Sequence, residues 1–262
     1  MKIDFHVHAF PDKVAEKAIP KLSKTSNLHP TTDGTVRGAK ELAIANGFDK
    51  ILLLNVAETP AQQAKANDFA LSQADDVVIP FAALHPLSLD WKDELKKATE
   101  RCAKGVKLHP EYQLFDVDDS AVYPFYEEVA KRGMILLFHA GFDPAFPQSR
   151  RCYPDRAAKM ADDFAGAKIV FAHMGNCLDL SETTNHLLGK PVYFDISMAH
   201  TGIDPKAAGK FMQAHGVHKF LFGTDTPWGG YEKTLKWLNE TGLSADEIDM
   251  ILGENAQKLL EL

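Results

Sequence analysis

Residues 2–8 read Lys-Ile-Asp-Phe-His-Val-His, and this short segment carries most of the information about the fold. Apolar and polar side chains alternate along it, which is typical of a β-strand. Residues two apart in a strand point to the same side, so His6 and His8 are expected to project together. Two imidazoles held in that way provide half of a metal site before any loop has to fold around the ion.

Similar short apolar runs recur along the rest of the chain, and helical stretches lie between them. The predicted strands are residues 2–8, 50–56, 77–84, 105–109, 134–139, 168–173, 191–197 and 219–224. Residues 61–74, 121–132, 205–215 and 231–241 carry apolar side chains three and four apart, which predicts amphipathic helices.

Strands that alternate with helices pair in parallel through crossover connections. Eight such units in 262 residues predict an α/β fold, a single (β/α)8 TIM barrel over residues 1–262. A doubly wound open sheet is the competitor, but its usual glycine-rich phosphate turn does not follow the first strand.

Composition and charge exclude several classes of protein. The chain is 45% hydrophobic and 25% charged, as ordinary globular proteins are. It has 29 Lys and Arg against 36 Asp and Glu, a net charge of −7, and no basic run, so we expect neither a nucleic-acid nor a membrane partner. Three cysteines without CxxC spacing are typical of reduced thiols, which predicts a cytoplasmic protein. The expected partner is a small-molecule substrate, and the oligomeric state stays open, a homo-oligomer included.

Polar side chains close several of the predicted strands. His139 ends the fifth strand, His173 ends the sixth, and Asp225 follows the eighth. Active sites of this fold gather at the C-terminal ends of the strands, so these residues are expected to converge with His6 and His8. Nitrogen and carboxylate ligands without thiolate suit Zn²⁺, Mn²⁺ or Fe²⁺. A single histidine at a strand end is more often only hydrogen-bonded, but this set as a whole predicts a metal centre.

An ordered set of short motifs is similar to the amidohydrolase superfamily. The motifs are His6-Val-His8, Gly105-Val-Lys-Leu-His109-Pro, Phe138-His139-Ala-Gly, Phe171-Ala-His173-Met-Gly, Leu221-Phe-Gly-Thr-Asp225-Thr-Pro-Trp228 and Gly253-Glu-Asn-Ala256. From residue 3 to about 260 the chain resembles the amidohydrolase-related (amidohydrolase-2) branch of metal-dependent TIM-barrel hydrolases. The ordered set is specific for the superfamily and says little about the substrate.

The resemblance implies a role for each of these residues. His6, His8, His139 and Asp225 would hold a catalytic metal, for which we expect one Zn²⁺ ion. His173 would be a second-metal ligand or, with one metal, a catalytic imidazole that orients the substrate. Asp225 would also take a proton from the metal-activated water and return it to the leaving group.

Lys107 on the predicted fourth strand leaves the number of metals open. Lys107 and His109 have the same parity, so both are expected to face the barrel interior, where an unpaired amine is costly. In binuclear members of the superfamily that the chain resembles, a lysine at this place is carboxylated and bridges two metals. One metal is favoured, with Lys107 paired to Asp4 or to a substrate carboxylate. His109 is predicted to be a pocket residue.

Three further residues are candidate substrate-binding groups. Arg150 and Arg151 lie in a loop after His139, where a guanidinium could bind a substrate carboxylate. Trp228, three residues after Asp225, is placed to line the pocket. A solvated arginine pair and a tryptophan that only packs are the alternatives.

Two enzymatic functions follow from the resemblance. The first is hydrolysis of an amide, lactone or ester of a small, carboxylate-bearing molecule by metal-activated water. The second is non-oxidative decarboxylation of a small unsaturated or aromatic acid, which relatives in the same branch perform on nearly the same ligands. Some of those decarboxylases begin with Glu-x-His, whereas this chain has both histidines, which tilts the choice slightly toward hydrolysis. A metal-binding barrel without catalysis is the third interpretation, and the complete ligand set argues against it.

Overall fold

The computed structural model describes residues 1–262, and its strands are all parallel. They are β1 (Ile3–Val7), β2 (Lys50–Leu53), β3 (Val78–Pro80), β4 (Ala82–Ala83), β5 (Gly105–Leu108), β6 (Ile135–Phe138), β7 (Ile169–Phe171), β8 (Tyr193–Asp195) and β9 (Phe220–Leu221). Each strand pairs with its neighbour in sequence, in the orders β1-β2-β3 and β4-β5-β6-β7-β8-β9. Only Phe81 separates β3 from β4, so these two are halves of the one strand predicted over residues 77–84.

Backbone hydrogen bonds join the first strand to the last. The N–H of Phe5 donates to the carbonyl of Phe222 at 2.7 Å, and the N–H of Asp225 donates to the carbonyl of His6 at 2.8 Å. The N–H of Phe81 donates to the carbonyl of Leu53 at 3.0 Å and bridges the break between β3 and β4. These bonds close eight strand positions into a barrel, and the predicted TIM-barrel fold is confirmed.

Helices occupy most of the segments between the strands. They are α1 (Asp12–Ser26), α2 (Val36–Ala45), α3 (Gln63–Ser72), α4 (Trp91–Glu100), α5 (Pro110–Gln113), α6 (Tyr123–Lys131), α7 (Pro154–Asp163), α8 (Leu180–Leu187), α9 (Pro205–His215), α10 (Tyr231–Glu240), α11 (Ala245–Asp249) and α12 (Asn255–Leu260). The four helices predicted from periodicity are α3, α6, α9 and α10. None of the helices combines the length and the apolar character that crossing a membrane requires.

Two clusters of buried apolar side chains stabilise the barrel. The larger one lies between the strands and the helices and includes Ile51 and Leu53 of β2. The smaller one contains Leu52 of the same strand, together with Leu137 and Leu221, and lies inside the barrel. The alternation along β2 places successive residues on opposite sides of the sheet, as expected for a strand that is buried on both faces.

An irregularity in β1 changes which side chains face the barrel interior. The pairing register with β2 shifts between Asp4 and Val7. Phe5 belongs to the inner apolar cluster, and His6 also points inward, whereas Asp4 receives hydrogen bonds from the Thr224 N–H and O–H at 3.0 and 2.6 Å. A bulge places two consecutive residues on one side of a strand, so the simple alternation expected for residues 2–8 is interrupted here.

Candidate metal centre at the rim of the barrel

Three of the predicted metal ligands meet at the C-terminal rim of the barrel. The Nε2 atom of His6 lies 3.1 Å from Nε2 of His8 and 3.3 Å from Oδ1 of Asp225. The Nε2 atom of His8 lies 3.1 Å from the same Asp225 oxygen, and the two ring planes cross at 72°. Ligands bound tetrahedrally at about 2.1 Å are roughly 3.4 Å apart, so these three atoms fit one divalent ion. We call them the His6–His8–Asp225 triad.

Hydrogen bonds on the far side of each imidazole fix its orientation. The Nδ1–H of His6 donates to Oδ2 of Asp195 at 2.8 Å, and the Nδ1–H of His8 donates to the carbonyl of Leu54 at 2.5 Å. With the proton on Nδ1, each ring presents an unprotonated Nε2, which is the form that binds a metal. Asp195 was not predicted as a site residue, although it is fully buried and lies within the seventh predicted strand, residues 191–197.

Asp225 is held in an uncommon backbone conformation. Its φ is +65°, in the left-handed region that non-glycine residues rarely adopt and that clusters at functional sites. Gly223 permits the close approach, since a Cβ there would lie 3.0 Å from Cβ of His6. Burial acts to raise the pKa of the Asp225 carboxyl, but the contacts with His8, His6 and His173 outweigh it and lower the pKa to about 2. The group is therefore ionised at neutral pH.

His139 lies beside the triad rather than within it. Its Nδ1 is 3.1 Å from Nε2 of His173, and its ring stacks on His109 with the centroids 4.1 Å apart and the planes at 8°. The metal-capable group that contains the triad does not include it. Its Nε2 is buried and has no hydrogen-bond partner, so a turn of the ring toward the triad would break no bond at that atom. Its role as a fourth ligand stays a prediction, and it requires that turn.

A second group of metal-capable side chains is formed by His109, His139 and Asp143. The Nε2 atoms of the two histidines lie 3.2 and 3.8 Å from Oδ2 of Asp143. A metal lies close to the plane of each imidazole that binds it, and two nearly parallel rings 4.1 Å apart share no such point. In this arrangement the group is suited to hydrogen bonding with a substrate rather than to a second metal.

Lys107 is fully buried inside the barrel, as predicted, but its partner is different. Its Nζ lies 3.3 Å from Nε2 of His6. The expected pairing with Asp4 is wrong, because the bulge in β1 turns that carboxylate toward Thr224. Burial lowers the pKa of Lys107 to about 8, although the charges of Asp195 and Asp225 act to raise it. An unmodified Lys107 amine stays the prediction, and its carboxylation stays the alternative.

A cavity of about 580 Å³ opens above the triad. The predicted site residues that line it are His8, His109, His139, His173, Asp225 and Trp228. Arg150 and Arg151 do not line it: Arg150 stacks over the ring of Tyr153 at 3.9 Å, and Arg151 Nη1 binds Oδ1 of Asp116 at 3.1 Å. These partners hold both guanidinium groups away from the cavity, so binding of a substrate carboxylate by either arginine stays a prediction that requires the side chain to leave its partner.

Solved structures with this fold include both hydrolases and decarboxylases. An uncharacterised TIM-barrel protein from Bordetella bronchiseptica has a TM-score of 0.77 at 17% identity over 99% of this chain and 98% of that one. A dihydroxybenzoic acid decarboxylase from Polaromonas sp. JS666, with bound manganese and an inhibitor, has a TM-score of 0.76 at 16% identity over 100% and 97%. A probable 2-pyrone-4,6-dicarboxylic acid hydrolase from Acinetobacter baumannii has a TM-score of 0.73 at 18% identity over 100% and 99%. At these identities the likeness shows the fold alone.

Sequence comparison gives the family. No curated protein sequence matches the chain significantly. The sequence profile described as "Amidohydrolase" matches residues 3–262, nearly the whole chain. The chain belongs to the amidohydrolase family.

Proposed function

We propose that the protein is a metal-dependent hydrolase that cleaves an amide, lactone or ester with an activated water molecule. The observation that carries this proposal is the triad, whose three donor atoms lie 3.1–3.3 Å apart beneath the cavity. A site with three protein ligands and an open position is typical of catalytic metals, and Zn²⁺ is the proposed ion. When bound, a divalent ion there supplies polarisation of a carbonyl group and activation of water near neutral pH.

Asp225 and His173 are the proposed proton-handling groups. Oδ1 of Asp225 faces the two histidines, which leaves Oδ2 as the oxygen that accepts a proton from the attacking water. The Nδ1–H of His173 donates to the carbonyl of Ser197 at 3.2 Å, and its Nε2 is turned toward His139. Both side chains line the cavity, so the unprotonated Nε2 of His173 is placed to accept a proton and pass it to the leaving group.

Decarboxylation of an aromatic acid is the second candidate function. Five aromatic side chains line the cavity, namely Phe10, Phe69, Tyr112, Phe142 and Trp228. Aromatic side chains pack favourably against aromatic ligands. The dihydroxybenzoic acid decarboxylase with the same fold supports this candidate.

Isotope labelling separates the two candidates. The protein is loaded with Zn²⁺ or Mn²⁺ and incubated in ¹⁸O-labelled water with panels of esters, lactones, amides and hydroxybenzoic acids, with metal-free protein as the control. Hydrolysis places ¹⁸O in the product carboxylate and requires the metal. Release of CO₂ from an aromatic acid, with no ester, lactone or amide turned over, would overturn the proposed hydrolysis in favour of the second candidate.

A further inference from the structure

We propose that the substrate carries a long apolar group, which lies between α1 and α3 while its carbonyl group meets the triad. This inference rests on the proposed function, because it assigns a substrate class to the same site. It is carried by the part of the cavity that lies away from the strand ends. We call that part the apolar chamber; it is lined by Val14, Ala18, Leu22, Leu28, Ala61, Ala66 and Phe69.

Helix α1 has two apolar stripes, and only one of them is covered by protein. Ala15 and Ile19 are buried, and both pack near Gly34. Val14, Ala18 and Leu22, which are spaced four residues apart, line the cavity instead. The helix makes no extensive contact with any other helix or strand. Val14 is 46% exposed, and Ala18 and Leu22 are only partly buried, so the second stripe is left partly open toward the cavity.

Helix α3 provides a second wall of the same character. Ala66 and Phe69 are three residues apart on one face of the helix, and both line the cavity. The cationic residues of the chamber, Lys21 and Lys65, are exposed, so their ammonium groups can stay in water while their aliphatic stems border the apolar wall. The chamber thus offers apolar surface on two helices and charge only at its exposed edge.

The cavity has a larger volume than a small aromatic acid or lactone would fill. Its volume of about 580 Å³ falls within the range of roughly 300–1,000 Å³ that holds drug-sized ligands. Hydrophobic residues make up 16 of the 30 that line it. Apolar surface of this extent beside a catalytic centre is unfavourable in water and typical of a binding site, so an apolar substrate group is its proposed occupant.

Binding of alkyl hydroxamates tests the chamber without requiring turnover. The hydroxamate head binds divalent metals, and the tail is lengthened stepwise from acetyl to lauroyl. Each methylene that is buried should lower the Kd for the Zn²⁺-loaded protein about fourfold, as measured by calorimetry, until the chamber is full. A Kd that does not change with tail length would overturn the inference.

Two filling variants locate the tail. Ala18→Phe on α1 and Ala66→Phe on α3 each place a ring in the chamber. Each should weaken the binding of lauroyl hydroxamate by at least about tenfold, the loss of roughly two buried methylenes, and leave acetyl hydroxamate unchanged. Ala214→Phe, at an exposed position on α9, is the matched control and should change neither Kd. Equal losses for the short and the long ligand would also contradict the assignment.

The outcomes distinguish this inference from the proposed hydrolysis. If the Kd falls with tail length but no ester, lactone or amide is turned over, the hydrolysis proposal fails and the apolar subsite stands. If short esters incorporate ¹⁸O while the Kd is independent of tail length, the hydrolysis proposal stands and the apolar subsite fails.

Discussion

Replacement of Asp195 tests how the metal ligands are oriented, and it requires no knowledge of the substrate. Oδ2 of Asp195 accepts a hydrogen bond from Nδ1–H of His6 at 2.8 Å, and Oδ1 accepts the backbone N–H groups of His173 and Ser197 at 3.1 and 3.0 Å. All of these partners are donors, and the side chain is fully buried. Only a group that accepts at both oxygens satisfies them.

The variant Asp195→Asn keeps the shape of the side chain but not this property. An asparagine has one acceptor oxygen and one NH₂ group. If the oxygen accepts from the two backbone amides, the NH₂ group faces His6 Nδ1 and moves the ring proton to Nε2, where it blocks the metal. If the oxygen faces His6 instead, the NH₂ group meets two N–H donors. In one orientation the metal-binding nitrogen of His6 is protonated, and in the other two backbone N–H groups lose their acceptor.

Both consequences are measurable. Loss of the partner that orients a ligating histidine lowers metal affinity by about 10–100-fold, or roughly 1.4–2.7 kcal/mol. An unsatisfied buried donor lowers the free energy of unfolding of the metal-free protein by about 1–3 kcal/mol. Zn²⁺ affinity is measured by competition with a chromophoric chelator, and stability by urea denaturation.

The control is Asp179→Asn at the N-terminus of α8, where the side chain accepts the N–H of Ser181 and asparagine is an equally good cap. This variant should match the wild type in both measurements. Wild-type Zn²⁺ affinity in Asp195→Asn would refute the orienting role of Asp195.

Three other variants test the proton path, the buried amine and a buried carboxyl group. Asp225→Asn should lower turnover by about 10²–10⁴-fold and metal content only in part, because the amide oxygen can still bind; near-normal turnover of metal-loaded variant would leave Asp225 as a ligand only. Lys107→Met removes a cation beside His6 and should raise Zn²⁺ affinity about tenfold if the amine is unmodified. A fall from two metal equivalents to one by elemental analysis would instead reveal a carboxylated lysine. Burial raises the pKa of Glu111 from 4.5 to about 7, so its contribution to stability is complete below pH 4.5 and is lost as the pH rises through about 7. Glu111→Gln should remove this loss, worth up to about 3 kcal/mol, and identical pH profiles in urea denaturation would contradict it.

The order and direction of the strands could be predicted because strands that alternate with helices pair in parallel through crossover connections. The local geometry of β1 could not. The bulge that turns Asp4 away from the interior is accompanied by its hydrogen bonds with Thr224, which lies 220 residues further along the chain. The pattern of residues 2–8 cannot indicate a contact with a residue so far away in the sequence. The wrong partner expected for Lys107 follows directly from assuming a regular strand.

The triad could be predicted because its two histidines are two residues apart at a strand end. The same pattern could have identified Asp195. His6 and His8 are two apart at the end of a strand, and so are Asp195 and Ser197 at the end of theirs. A strand-end carboxylate can be a ligand, a partner of a ligand or an exposed group. The choice depends on the 2.8 Å contact with Nδ1 of His6, which only the folded chain brings about. For the same reason the stacking of His139 on His109 could not be foreseen.

Helix α1 shows why the substrate is harder to predict from the sequence than the metal. Val14, Ala15, Ala18, Ile19 and Leu22 form one broad apolar face, which is typical of a helix that packs on a core. Only the placement of the helix shows that Ala15 and Ile19 are buried while the other three line the cavity. The triad, by contrast, is built from strand ends that the fold itself brings together. Substitutions on α1 should therefore change which substrates are bound and leave metal affinity unaltered, whereas substitutions at the strand ends should affect the metal first.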